Sequence, residues 1–330
     1  KKQPKDSYTA GNSIYAGYIA TEYYPVAPLL VNLGVRYEIS KQWVDYYTDG
    51  GKAERSELNK NDLFPSLNMK YQMNEKNSLR FAFSRTVTRP SFIEMAPFLY
   101  QESYGSAQIR GNADLQNGYN YNIDLRYELF EKNGDMLSIT AYYKHLKAPI
   151  ERVQTLSGGS AVHSFRNADN GMATGVEIEF RKEIVKDLRF GVNGSYMYTN
   201  VKLPKGGAYT NSQRALQGAS PYLANADLTY SPAFSNDRQL SVALLYNLQG
   251  PRIHSVGISG LGDIKQQPVH TLNFTGSYRF NRRFAVKLQV NDLLNQDILF
   301  KQEVPTTGDK VEVERFRKGT GFEVGFSYDL

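Results

Sequence analysis

The sequence predicts an all-β chain, a transmembrane antiparallel β-barrel built from about thirteen strands. Three observations predict it. Apolar and polar residues alternate one by one over many segments, the periodicity of a strand with one greasy and one wet face. Many runs reach roughly 12 to 20 residues, against about 5–6 for strands of soluble proteins. The connections between runs alternate in length, as they do in outer-membrane barrels with short turns on one side and long loops on the other.

The elements follow in order. The alternation places strands at 12–24, 28–44, 62–72 and 77–88. A fifth spans 117–130, where Tyr121, Ile123, Leu125, Tyr127 and Leu129 stand against Asn122, Asp124, Arg126 and Glu128. Strands at 135–153 and 161–183 follow, the second setting Val176, Ile178 and Phe180 against Glu177, Glu179 and Arg181. Next come 187–202, 214–231 and 238–250, the last with Leu240, Val242, Leu244 and Tyr246 on one face. In 267–280, Leu272, Phe274, Tyr278 and Phe280 alternate with Asn273, Thr275, Ser277 and Arg279. In 283–300, Phe284, Val286, Leu288 and Val290 alternate with Lys287, Gln289 and Asn291. The strand at 315–330 puts Phe322, Val324, Phe326 and Tyr328 opposite Glu323, Gly325, Ser327 and Asp329. "YPVAP", "QMNEKN", "FEKNGD", "KEIVKD", "SPAFSND" and "FNRR" are the short turns. The long loops are expected near 45–61, 89–116, 203–213, 251–266 and 301–314.

Composition supports a two-faced wall. Twenty-four Tyr, 17 Phe and 1 Trp give 13% aromatic residues, yet only 41% of the chain is hydrophobic. Tyr and Phe gather near strand ends, where interfacial girdles sit. No stretch approaches the roughly 18–20 consecutive apolar residues of a transmembrane helix. A soluble sandwich or solenoid is the competing architecture, since its alternation looks the same; strand length and the dense charges on the polar face argue against it. The net charge of +6 is dispersed, with no basic run, so no nucleic-acid partner is expected. The absence of cysteine excludes a disulfide framework and thiolate metal sites.

No motif carries catalysis. The four histidines, His145, His163, His254 and His270, have no metal-ligand spacing, so no metal or cofactor is expected. Glu177 and Glu179 share a strand face and are expected to meet Arg126 or Lys144 across strands. Aromatic and cationic residues of the long loops are the candidates for ligand contact: Tyr100, Tyr104, Tyr209 and Tyr222 for stacking, with Arg110 and Arg252 for anionic groups. Arg89 and His254 join them, each with a competing role, Arg89 as a brace against wet-face carboxylates and His254 as a solvated loop residue.

Several segments, taken in order, resemble the C-terminal half of a TonB-dependent outer-membrane receptor of the kind abundant in Bacteroidetes. They are "YIATEYYPVAPLLVNLGVRYEIS", "LFPSLNMKYQMNEKNSLRFAFSRTVTRPSFIEMAPF", "GNADLQNGYNYNIDLRYELF", "LSITAYYKHLKAPIERV", "FRNADNGMATGVEIEFRK", "LQGASPYLANADLTYS" and "VKLQVNDLLNQDILF". The stretch from "SRTVTRPSF" to "GNADL" is the most specific. The resemblance implies that residues 1–330 form the C-terminal part of a single barrel domain, about the last 13 of 22 strands. It also implies that the plug and first strands belong to a longer chain. It implies a receptor importing a scarce nutrient (siderophore, cobalamin, glycan or peptide) by ligand binding at external loops and energy-coupled plug movement. TonB, the lipid bilayer and lipopolysaccharide are the implied partners, and a surface lipoprotein is left open. A non-transporting barrel with a structural, adhesin-like or docking role is the alternative.

Overall fold

The computed structural model describes residues 7–101, 108–157, 160–203, 210–234, 237–257 and 260–329. Thirteen strands form one antiparallel wall in strict sequence order. They are β1 (Tyr8–Val26), β2 (Leu29–Tyr47), β3 (Ala53–Gln72), β4 (Asn77–Thr88), β5 (Gly118–Phe130), β6 (Met136–Lys147) and β7 (Asn170–Val185). The wall continues through β8 (Leu188–Lys202), β9 (Tyr222–Tyr230), β10 (Gln239–Gln249), β11 (Val269–Arg279), β12 (Phe284–Asn291) and β13 (Gly321–Tyr328). Each is hydrogen-bonded to its sequence neighbours, so no crossover interrupts the wall.

Register separates the two faces. Leu125 on β5 is opposite Ala141, Ala141 is opposite Val176, Val176 opposite Tyr196, and Tyr196 opposite Tyr222. Directly opposed residues share a face, so this row and those two residues above and below it form one outward apolar surface. Leu228, Leu244, Phe274, Val290 and Phe322 extend it to the last strand. Near the short turns the outward face carries Tyr71, Tyr127, Phe180, Phe190, Tyr230, Phe284 and Tyr328. On β5 and β9 a tyrosine stands at each end of the face, Tyr119 with Tyr127 and Tyr222 with Tyr230. Eight residues at about 3.4 Å make roughly 27 Å along a strand, about 21 Å along the normal at a tilt near 40°. That matches an apolar band bounded by two aromatic girdles. The chain is thus a single wall whose outward face is built to meet a bilayer.

The wall forks between β3 and β4. Their ladder ends at Ser66↔Ser84, whereas β3 keeps pairing with β2 for thirteen further residues, from Pro65 to Ala53. Pro65 has no N–H to donate, which suits a strand losing one neighbour at that point. Arg85 fills the opening. Its Nη1 donates to the Leu63 carbonyl at 2.7 Å, its Nη2 lies 3.6 Å from Asp62, and its guanidinium sits 4.5 Å over the Tyr119 ring.

Several expected boundaries are corrected. Residues 45–61 are not a long loop but the end of a β2–β3 hairpin turning at 48–52. Its tip is polar on both faces and held by cross-strand pairs, Arg55 Nη2 to Asp45 at 2.7 Å and Lys41 to Glu57 at 4.0 Å. The run 135–153 is broken after Lys147, where Ala148 takes φ 51° before Pro149. The residues around that break leave the wall: Ile150–Ser157 and Ser160–Asn167 pair with each other in a separate four-stranded sheet with Leu99–Tyr100 and Ile109–Arg110. Similarly, Ile298–Val304 and Asp309–Phe316 are not wall but join Arg252–Ser255 and Ile264–Gln266 in a second small sheet. The span 214–231 contributes wall only from Tyr222, with Gln213–Arg214 paired to the end of β8. The two small sheets form a folded cap on the long-loop side.

Candidate ligand-facing surface

The wet face of the wall is a charged, hydrogen-bonded lining. Glu128 is nearly buried and accepts from Arg80 Nε at 2.7 Å, Arg126 Nε at 2.8 Å and Ser78 Oγ at 3.0 Å. Arg126 reaches Glu179 at 3.9 Å, and Arg181 meets the same carboxylate at 3.3 Å. The expected partnership of Glu179 with Arg126 is therefore present. Half-exposed pairs of this kind contribute at most about 1 kcal/mol each. The ladder's main effect is to hold Arg80, Arg126 and Arg181 against Glu128 and Glu179 on a hydrated surface. Above it, shallow cavities of about 320 and 370 Å³ share Arg126, Thr140 and Glu177.

The segment from "SRTVTRPSF" to "GNADL" ties the cap to the wall. Arg89 Nη2 donates to Glu38 at 2.6 Å, and Glu38 also accepts from Arg36 at 2.6 Å. Gln42 Nε2 donates to the Pro90 carbonyl at 2.6 Å. Ser91 then opens a single helical turn, α1 (Phe92–Met95), closed by a reciprocal capping box with Glu94. Met95 and Ala96 pack on Val44 and Leu58, with Phe92 and Phe98 around them. Gly111 lies against this turn so closely that a Cβ would collide with the Ala96 carbonyl. The Asn112 N–H then donates to the Glu94 carbonyl at 2.6 Å, and its side-chain amide donates to the Phe165 carbonyl at 2.9 Å. The motif is a knot that sets how the longest loop lies over the wet face.

The expected contact residues fall into three places. Arg89, Tyr100 and Arg110 belong to the first small sheet or its root. Arg89 braces against Glu38, Arg110 pairs with Asp49 at 3.0 Å, and the Tyr100 ring lies tilted against Phe98 with centroids 5.6 Å apart. Arg252 and His254 lie on the second small sheet. There Arg252 Nε donates to Gln266 at 2.7 Å, and the His254 ring meets Phe300 edge-on at 4.7 Å. Tyr222 is on the outward face opposite Tyr196, away from the others. Tyr104 and Tyr209 lie outside the described residues.

Sequence reasoning did not single out the residues joining the two sheets. Arg152 Nε donates to His163 Nδ1 at 2.8 Å, which makes Nδ1 an acceptor and leaves the proton on Nε2. Nε2 then faces Ser255 Oγ at 3.3 Å on the second sheet. Burial first, then the Arg152 guanidinium, pulls the His163 pKa down to about 4. Nearby, Glu151 and Arg214 form an ion pair at 2.9 Å with side chains 4% and 3% exposed. Burial raises the Glu151 pKa against the opposing pull of Arg214. Arg214 also lines a cavity of about 690 Å³ with Arg252, Asp263, Lys265 and Asn211. No local signal marks these residues, because Glu151 and Arg214 are distant in sequence and fall in the runs 135–153 and 214–231, which read as wall strands.

The chain matches the outer membrane protein beta-barrel family over residues 3–328. The ferric enterobactin receptor of Pseudomonas aeruginosa is 21% identical over 270 residues, 76% of this chain and 35% of that protein. The solved structure of a ferric enterobactin receptor from the same species with enterobactin aligns over 97% of this chain and 54% of its own, at 15% identity and TM-score 0.62. The ferric yersiniabactin uptake receptor from Yersinia pestis aligns over 97% of this chain and 46% of its own, at 14% identity and TM-score 0.69. The ferric-catecholate import receptor from K12 E. coli gives 98% and 45%, at 14% identity and TM-score 0.66. The chain spans about a third of the curated relative and about half of the solved chains.

Proposed function

The chain belongs to the outer membrane protein beta-barrel family, and on that premise we propose that it is the wall and much of the cap of a TonB-dependent receptor that imports a ferric siderophore. The observation that carries the reading is a charged, hydrated inner face lying beneath a folded cap, as transport requires and a bare scaffold does not. The ligand class is supported by the relative that takes ferric enterobactin. In this reading the cap captures the chelate, with Arg252 and Arg110 as the cations for its anionic oxygens and Tyr100 for its rings. Tyr104, Tyr209 and His254 remain proposed contacts, whereas Tyr222, on the outward face, is assigned to the aromatic girdle. Arg89 acts through the loop it braces. A plug elsewhere in the longer protein closes the lumen, and TonB supplies the energy that moves it. The reaction is transport, with no covalent chemistry assigned to this chain.

Uptake of radiolabelled ferric enterobactin by iron-starved cells tests the proposal. Deleting the gene is expected to abolish a saturable component, and removing TonB is expected to abolish the same component. Uptake that survives both deletions overturns the reading.

A further inference from the structure

The wet face of the wall is two surfaces of unlike chemistry. On β5–β7 it holds Asp124, Glu128, Glu177 and Glu179 among the arginines of the ladder. On β8–β12 it holds one carboxylate, Asp227, which leans over Gly191 on β8 and away from β10–β12. An amide row crosses this second half. Asn193, Asn225, Asn247 and Thr271 stand opposite one another on β8, β9, β10 and β11. Asn247 Nδ2 donates to Asn225 Oδ1 at 2.6 Å, and Asn225 Nδ2 donates to Asn193 Oδ1 at 2.8 Å. Asn225 and Asn247 each keep a second N–H for the lumen, while the carbonyls of Asn193 and Asn225 are engaged.

At the short-turn end of the same half stand two cations. Arg279 on β11 is opposite Ala285 on β12, and Lys287 is opposite Ser277, so the two are diagonal neighbours about 7–8 Å apart. Both are exposed, and neither side chain has an ion-pair or hydrogen-bond partner among the described residues. By contrast, Arg80 and Arg126 are answered by Glu128, and Arg181 by Glu179. The side chains around Arg279 and Lys287 are short, Ser241, Ser277, Ala285 and Ser327, and leave a shallow cavity of about 440 Å³. An anion moving along β5–β7 meets carboxylates and must part arginines from their partners. Along β8–β12 it meets amide N–H groups and then two unpaired cations. We propose that an anionic ferric chelate descends along the inner face of β8–β12, and that Arg279 and Lys287 form the site that receives it at the short-turn, periplasmic end. The inference rests on the ferric-siderophore reading and adds to it the side of the lumen and the exit residues. A surface rich in donors and poor in acceptors suits the exposed oxygens of such a chelate, and two cations on flexible stems close on it from neighbouring strands.

The test measures surface binding and energised uptake of radiolabelled ferric enterobactin by cells producing the full protein. R279Q/K287Q is expected to bind with unchanged Kd and to take the chelate up about tenfold more slowly, since each half-exposed ion contact is worth up to about fivefold. R279K/K287R, which keeps both charges, is expected to restore uptake. N225D, which sets a carboxylate in the amide row, is expected to slow uptake as well. K144Q removes a cation from β6 in the other half and is expected to leave uptake unchanged. Parental uptake in R279Q/K287Q or in N225D, slow uptake in R279K/K287R, or equal slowing by K144Q overturns the proposal. Loss of surface binding in R279Q/K287Q, or a rise in the vancomycin sensitivity of its cells, overturns it too, because the cations then shape the cap or hold the lumen closed. Heat-modifiable gel mobility reports assembly; if R279Q/K287Q does not assemble, the single variants carry the test, each about threefold slower. Absence of uptake by the unchanged protein sinks the ferric-siderophore reading and this inference with it. Uptake that the variants match sinks this inference alone.

Discussion

Arg214 and His163 show how much of the cap's order rests on single side chains. Removing Arg214 leaves the Glu151 carboxyl buried and unpaired, a change that costs about 3–5 kcal/mol, whereas removing both partners together is near neutral. R214M is therefore expected to speed amide exchange throughout Ile150–Asn167 and Gln213–Arg214. E151L/R214M is expected to restore most of the protection; an R214M cap that exchanges as slowly as the unchanged one overturns the assignment. His163 gives a pH dependence of definite sign. In the folded cap it takes a proton only below about 4, against 6.5 for the free side chain. Above 6.5 both states are neutral. Between 6.5 and 4 only the unfolded segment gains the proton, so cap stability falls as pH falls through that window. Exchange protection of Ser160–Asn167, corrected for intrinsic rates, is expected to decline from pH 6.5 to pH 4, and His163→Gln to remove the decline. These two residues were illegible in the sequence because what makes them special is burial in the cap, while the runs that hold them, 161–183 and 214–231, read as wall.

At the level of elements, the period-two pattern carried most of the information. Each of the thirteen expected runs overlaps a wall strand, and 77–88 coincides with β4 residue for residue. The misses have one physical origin. Alternation reports that a segment is a strand with two unlike faces, without saying which sheet holds it. Residues 135–153 read as one strand, yet Ala148 and Pro149 divide wall from cap. The β2–β3 tip was missed for the opposite reason: it is a strand with two similar, polar faces. The segregation of the wall predicts asymmetric mutational costs. Ile178→Lys, at the middle of the outward face, is expected to lower the unfolding free energy by about 2–4 kcal/mol in vesicles. Ser195→Lys, on the wet face of β8, is expected to stay within about 0.5 kcal/mol. Equal costs at the two positions are inconsistent with the assignment of faces.

For the molecule as a whole, one architectural detail sets what the outside world meets first. Above the fork at Pro65, the paired arms of β2 and β3 continue for some dozen residues to their turn at Thr48–Lys52. At about 3.3 Å per residue and a tilt near 40°, that raises the turn roughly 30 Å above the fork, clear of the bilayer surface. The turn is polar, exposed and carries Gly51 at φ 78°. A short epitope inserted between Gly50 and Gly51 is expected to be recognised by antibody on intact cells while the heat-modifiable gel mobility of the assembled protein is unchanged. The hairpin is thus a mast standing clear of the bilayer, the natural place from which to watch this protein at work in a living cell.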